Sequence, residues 1–323
     1  MPKVSIIVPN YNHGRYLPRR LDSIFGQTFQ DFEVTVVDDA SRDDSIDVLR
    51  RYEHDPRLRL ILNSINSGSP FKSWNAGARA SVGEFLWIAE SDDYADPRFL
   101  EHLVPRLERS PSIGMVYCRS YMVGEHDEVL GTDDALKERL FGAHWSSDYQ
   151  ARGRDEIADY LVFRNTIPNA SAVLLRRERF EGIGFAPEEM TLAGDWLTWV
   201  RILLDSDIAY SAQPLNYFRR HPDTVRQRLT GRVEEIEESC RIIHLVLSAM
   251  NLERSKIEEI QDFLVEKWWA TLRNHPRELL SRKNISVYRL ASRQDPRLRS
   301  RIAKKILAKF LHPSRRRSSK QSP

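Results

Sequence analysis

Cysteine is almost missing: Cys118 and Cys240 are the only two in 323 residues. Far apart and each set in an apolar segment, they offer neither a disulfide framework nor the spacing of a zinc site, and a reducing cytosol suits such usage. Also absent is any run of the roughly twenty apolar residues that a membrane-spanning helix needs, so any membrane contact is expected to be peripheral. Met1-Pro2-Lys3 leads straight into VSIIVP, too short for a signal-peptide core and without a small-residue cleavage site, which predicts no export. No GxGxxG follows any strand-like run, which weighs against a dinucleotide fold.

What the chain does have is enough apolar residue for a full core, 41% hydrophobic against 29% charged, over a length that fits one catalytic domain with an appendage. Charge is segregated. Between Ser292 and Pro323, eleven Lys/Arg stand against Asp295 alone, giving +10 and leaving −7 for the rest of a chain whose total is +3.

The runs VSIIV (4–8) and EVTVVDD (33–39) read as strands, and between them Leu17, Leu21, Ile24 and Phe25 recur at helical spacing, a βαβ unit. The alternation continues with a helix over 46–52, a strand over 58–62, a helix over 71–80, a strand over 84–89 and a helix opened by Pro97. It predicts an α/β fold on a mostly parallel sheet. Beyond Ile113 the pattern loosens into short strands such as MVYCRSYMV and ASAVLLR, followed by a helix over 196–204. After Gly231 it becomes helical, with helices over 233–250 and 256–273. The expected divisions are 1–229 for the α/β domain, 230–311 for a helical region and 312–323 for a basic, disordered tail.

Ligands of open α/β sheets bind at the carboxyl ends of the strands, where this chain places NYNHG, DDASRDDS, NSINSG and ESDD. Asp38-Asp39 and Glu90-Ser91-Asp92-Asp93 would face one crevice. Crowded carboxylates need a cation, and oxygen ligands with few histidines suit Mg2+ or Mn2+ bridging to a diphosphate. The plain alternative is that these acids form turns and cap helices.

The stretches VSIIVPNYN, QTFQDFEVTVVDDAS and GEFLWIAESDD together resemble family 2 glycosyltransferases of the GT-A fold, a likeness running from about residue 3 to 225. The resemblance implies a nucleotide base held by Pro9, Tyr11 and Asp39. A carboxylate can accept the N3 proton of uracil or thymine, and a tyrosine ring can stack on the base. It implies that Glu90-Ser91-Asp92-Asp93 stands for the family's metal motif, with Glu90, where the family usually has Asp, binding the donor and Asp92 and Asp93 making the metal and ribose contacts. AGDWLTWVRIL resembles the segment carrying the inverting enzymes' base, which points to Asp195, although Gly194 stands where the family more often has an acid. NYFRRHPDTV resembles the segment that closes the nucleotide site, making Arg219 and His221 candidates for the diphosphate or the metal. Lys72 is a further phosphate candidate. Asn165, Asn169 and Ser171 lie where such enzymes shape the acceptor pocket, yet such residues in loops usually serve turns.

The implied activity is metal-assisted transfer, with Mn2+ or Mg2+, from a UDP- or dTDP-sugar to a saccharide or lipid-linked glycan in cell-surface polysaccharide or lipopolysaccharide synthesis. A catalytically silent nucleotide-sugar-binding scaffold is the alternative, disfavoured by Asp92, Asp93 and Asp195 occurring together. RIAKKILAKFL reads as an amphipathic basic helix that either lies at the cytoplasmic face of a membrane or docks on the rest of the chain. Few aromatics accompany the basic tail, so nucleic acid is not an expected partner.

Overall fold

The computed structural model describes residues 1–221 and 231–311, with side chains through 305. The chain divides into two compact units, Met1–Leu229 and Thr230–Pro323.

In the first unit β1 (Val4–Asn10) is buried at every position, as its unbroken apolar run requires of a strand covered on both faces. α1 (Leu17–Phe25) starts with proline in its first turn and buries Leu17, Leu21 and Ile24. β2 (Phe32–Asp38), α2 (Ser45–Arg50), β3 (Leu58–Leu62), α3 (Pro70–Ala80) and β4 (Phe85–Ile88) follow, each within two residues of the expected bounds at its start. Val4, Ile6 and Val8 alternate onto the face that meets Leu17, Leu21 and Ile24, and Phe99, Leu103 and Leu107 join the same core. Each such side chain contributes about 2 kcal/mol by leaving water.

The second half is woven differently. After β5 (Tyr94–Ala95), α4 (Phe99–Glu108), β6 (Ile113–Val123), β7 (Val129–Thr132) and β8 (Tyr149–Arg152) come β9 (Val173–Arg176), the helix Gly194–Leu203 and β10 (Asp207–Arg219). The sheet runs β3-β2-β1-β4-β9-β6-β10-β5, with β7 on β6 and β8 on β10. Strands β1 to β4 pair in parallel, as the alternation predicts. β9 enters antiparallel between β4 and β6. The sheet is thus parallel in one half and mixed in the other, so the ends of β4 and β10 come from opposite sides of an antiparallel insertion.

The second unit is helical: Val233–Ala249, Arg254–Asn274, Arg282–Gln294 and Leu298–Leu311. Ile236, Ile243, Val246, Leu264, Val265, Trp268 and Val287 are buried there. Trp268 satisfies its indole N–H on Asn284 Oδ1 at 2.6 Å. Among the described residues no helix is long and apolar enough to cross a membrane. The helix expected over 301–311 is present as backbone, but its apolar side chains from Ile306 onward, and the tail after Leu311, lie outside the described residues.

Candidate active site

The loops after β1 and β2 are tied into one rim. Asn10 donates to Asp38 Oδ2 at 2.7 Å, and Ser41 fastens the other oxygen through its backbone N–H at 2.9 Å. Asn12, at φ +55°, accepts from the Arg42 N–H at 2.7 Å, and Gly14 donates to Asp43 at 2.8 Å. A β-carbon on Gly14 would sit 2.9 Å from the Ser45 backbone nitrogen, so glycine lets the two loops approach this closely. Pro9 lies within β1 opposite Val37, and Tyr11, 41% exposed, stands on the rim.

Asp39 is buried and faces the loop after β3. Its carboxylate accepts from Asn63 Nδ2 at 2.7 Å and from the Ser67 N–H and hydroxyl, the latter at 2.8 Å. Three donors against about four lone-pair sites leave room for one more. Ala40 follows at φ +62°, a left-handed conformation that costs a non-glycine residue about 1 kcal/mol and is tolerated where surrounding contacts fix it. Exposed Lys72 donates to the Ser67 carbonyl at 3.1 Å, which places it beside Asp39.

Past β4, the four residues of ESDD diverge. Glu90 accepts from the Trp74 indole at 2.8 Å, and burial, aided by the charge of Asp92, pushes its carboxyl up to about 8. Ser91 meets His13 Nδ1 at 2.8 Å. Asp92 lies 3.0 Å from His221 Nε2; burial opposes its charge, but the His221 hydrogen bond and the nearby His13 outweigh that and hold the carboxyl below its usual range. Asp93 turns inward. It accepts from Asn169 at 2.9 Å, Ser171 Oγ at 2.7 Å and the Arg219 N–H at 2.8 Å, while burial and Asp92 push its carboxyl up.

Beneath these acids lies Arg20, fully buried on the apolar face of α1, donating to the Glu90 carbonyl and to Ser171 Oγ, both at 2.8 Å. Burial lowers it to about 10, so it remains a cation facing Glu90, Asp92 and Asp93. Sequence reasoning passed over it. The signal was there: a basic residue at helical spacing from Leu17, Leu21 and Ile24 sits on the wrong face for a solvated charge.

Two residues expected to contact ligand have protein partners of their own. Arg219, proposed for the diphosphate, spends its guanidinium inside the protein: Nε donates to the Asp92 carbonyl at 2.7 Å, Nη1 to the Gly124 and Glu125 carbonyls, and Nη2 to Asp127. Asp93, expected at the metal, accepts three protein hydrogen bonds, and it is His13 that stands near Asp92 and His221. One ligand atom each from His13, Asp92 and His221 lie within 4.8 Å of one another. A histidine between Asn12 and Gly14 reads as a turn residue, so its nearness to β10 was invisible in the sequence. Burial holds the His13 imidazole below its usual value, against the pull of Asp92. His221 is buried, and its Nδ1 has no hydrogen-bond partner. Two imidazoles and a carboxylate, one buried nitrogen still unpaired, fit a divalent first-row ion.

Asp195 sits in the first turn of the helix Gly194–Leu203, accepting from the Trp196 N–H at 2.7 Å and from Asn165 Nδ2 at 2.9 Å. A β-carbon on Gly194 would lie 2.4 Å from the Phe71 ring, so Phe71 occupies the space into which another side chain would project. α3 thereby gathers the pieces. Ser67, just before it, holds Asp39, Phe71 meets Gly194, and Trp74 reaches Glu90 and stacks on Trp199 at 6.2 Å.

A central α/β sheet with acids at the ends of its parallel strands, and a further acid at a helix start, is the arrangement expected of the GT-A fold. Residues 5–166 match the model of glycosyl transferase family 2, and the chain belongs to that family. Over 103 residues it is 37% identical to the poly(ribitol-phosphate) β-N-acetylglucosaminyltransferase TarS of Staphylococcus aureus, a stretch of 31% of this chain and 18% of that protein. The chain matches about a third or less of the length of the curated relatives that come first. The crystal structure of S. aureus TarS 1-349 with UDP-GlcNAc matches at a TM-score of 0.69, over 98% of this chain and 93% of that one, with 19% identity. The mannosyltransferase PcManGT from Pyrobaculum calidifontis with GDP-Man and Mn2+ matches at 0.56 over 97% and 81%, with 18% identity. Both share the fold.

Proposed function

We propose that the first unit transfers a hexose or N-acetylhexosamine from a UDP- or dTDP-sugar, with inversion, to a hydroxyl of a saccharide or lipid-linked glycan of the cell surface. The observation that carries this is the gathering of Asp39, Glu90 and Asp195 around the start of α3, with Asp92 two residues past Glu90. UDP-GlcNAc in the related TarS structure favours a uridine nucleotide.

In this reading the one acceptor site left on Asp39 takes the N3–H of the base, and the exposed Tyr11 ring stacks on it. Lys72 reaches the diphosphate, and Glu90, steered by Trp74, meets hydroxyls of the donor. Asp92 and His221 would hold Mn2+ or Mg2+, whose charge stabilises the departing diphosphate. Asp195 takes the proton of the acceptor hydroxyl as that oxygen bonds to the anomeric carbon from the face opposite the diphosphate. The bond from that carbon to the phosphate oxygen breaks, and the nucleoside diphosphate leaves with its electrons. Asn165 keeps the carboxylate of Asp195 aimed.

Release of UDP in the presence of Mn2+ and acceptor, lost in Asp195→Asn while donor binding persists, is the expected result. Turnover unchanged in that variant sinks the base assignment; donor binding without turnover in the parent protein, across a panel of acceptors, favours a silent scaffold.

The described residues of the second unit offer their own support for a membrane contact. Leu280 is 87% exposed and Leu279 55%, at the turn between the helices Arg254–Asn274 and Arg282–Gln294. Exposed Arg273, Arg277 and Arg282 surround them in sequence. Exposed apolar side chains flanked in sequence by arginines suit the surface of an anionic bilayer.

A further inference from the structure

We infer that His13 is a direct ligand of the divalent ion, making the centre a site of two imidazoles and one carboxylate that prefers Mn2+ to Mg2+. This rests on the reading of the crevice as a nucleotide-sugar site, and adds to it a ligand drawn from the loop after β1 instead of from the acidic ESDD run.

The geometry is prepared for that role. His13 Nδ1 is pinned on Ser91 Oγ at 2.8 Å, and Ser91 immediately precedes Asp92, so the acid and the imidazole are set by adjacent residues of one turn. With one nitrogen held by a hydrogen bond, the ring orientation is fixed and the other nitrogen is the one available to an ion. The loop that carries His13 is rigid on both sides: the Asn12 N–H donates to Ser41 Oγ at 2.9 Å, and Gly14 donates to Asp43.

A second set of contacts fixes the imidazoles against each other. The rings of His13 and His221 lie 5.7 Å apart at 87°, and the Tyr16 ring stands 5.9 Å from one and 5.4 Å from the other. The Arg219 guanidinium sits 4.7 Å over Tyr16 while its Nε holds the Asp92 carbonyl. Arg219 thus holds the Asp92 backbone directly and packs on the ring that both imidazoles meet, and Nδ1 of buried His221 has no hydrogen-bond partner. A ligand span of up to 4.8 Å asks for only a small contraction, since ligands about 2.1 Å from a common ion sit about 3–4 Å apart.

The donor set decides the ion. Mg2+ favours oxygen and keeps most of its waters, whereas imidazole nitrogens suit the first-row transition metals. A carboxylate-only centre, as the acidic run alone implies, would discriminate little between the two.

Mn2+ titrations followed by electron paramagnetic resonance, with electron spin-echo envelope modulation to count coupled nitrogens, test this on the full chain with and without UDP. Two coupled imidazoles are expected in the parent protein and one in His13→Ala and His13→Gln. The apparent Mn2+ affinity should fall at least about tenfold and the preference over Mg2+ should shrink. Thermal melts of both variants check folding, and the nitrogen count in the unmutated protein answers the question even if neither variant folds. A single coupled imidazole in the parent protein, or an unchanged count in a folded His13 variant, overturns the assignment while leaving the nucleotide-sugar reading intact. Failure of the parent protein to bind either UDP or Mn2+ overturns both.

Discussion

Asn165 donates its side-chain amide to Asp195 at 2.9 Å, and four residues later Asn169 donates to Asp93 at the same distance. One short loop therefore orients the proposed base and anchors the turn that carries Asp92. Asp195→Asn should lower kcat by roughly 10²–10⁴-fold with little change in donor affinity. Asn165→Ala should lower kcat less, about tenfold, because the carboxylate survives but loses its aim. A loss confined to the donor KM in either variant would contradict the roles given.

Arg219 braces the site from inside. Arg219→Met leaves Asp127 and three carbonyls without their donor, and should cost roughly 3 kcal/mol of stability by urea denaturation. UDP affinity measured without metal should hardly change. A variant that folds normally but loses UDP in the absence of metal would restore the diphosphate contact implied by the family resemblance.

Phe71 and Gly194 are coupled by space. Gly194→Ala drives a methyl into the Phe71 ring and should destabilise the protein by about 1–3 kcal/mol. Combining it with Phe71→Ala should recover part of that loss, and a double-mutant cycle measures the coupling. Strict additivity would mean that Phe71 does not fill the place.

Both thiols are buried, and burial pushes Cys240 up to about 12 and Cys118 well above its ordinary value. Neither should react with Ellman's reagent at neutral pH in the native protein, whereas both should react after denaturation. Rapid labelling of the native chain would show an open core near Cys118 or Cys240.

Flotation with phosphatidylserine vesicles checks the second unit. Leu279→Ser together with Leu280→Ser should reduce binding, as should added salt. Binding to neutral and anionic vesicles alike, unaffected by the double substitution, would remove these leucines from the contact.

Periodicity and strand-end chemistry carried much of this protein in plain view. VSIIV, EVTVVDD and GEFLWI are β-branched or aromatic runs separated by helical spacing, and such local patterns choose their secondary structure with little help from distant residues. The acids that follow them were legible too, because the end of a parallel strand is where polar residues have a reason to gather. Strand order beyond β4 was not, since VLLR at 173–176 reads the same whether it pairs parallel or antiparallel.

Within the site, the sequence determined which residue types were on hand, and the tertiary structure decided which way each one faced. Asp92 and Asp93 are neighbours of one kind, yet Asn169, Ser171 and the Arg219 N–H lie on one side of the turn and draw Asp93 inward, while His221 and His13 lie on the other. Those partners come from the loop after β1, the segment just before β9 and the end of β10, regions far apart in the chain. A charged group leaves water only where partners wait for it, and their positions are a property of the fold.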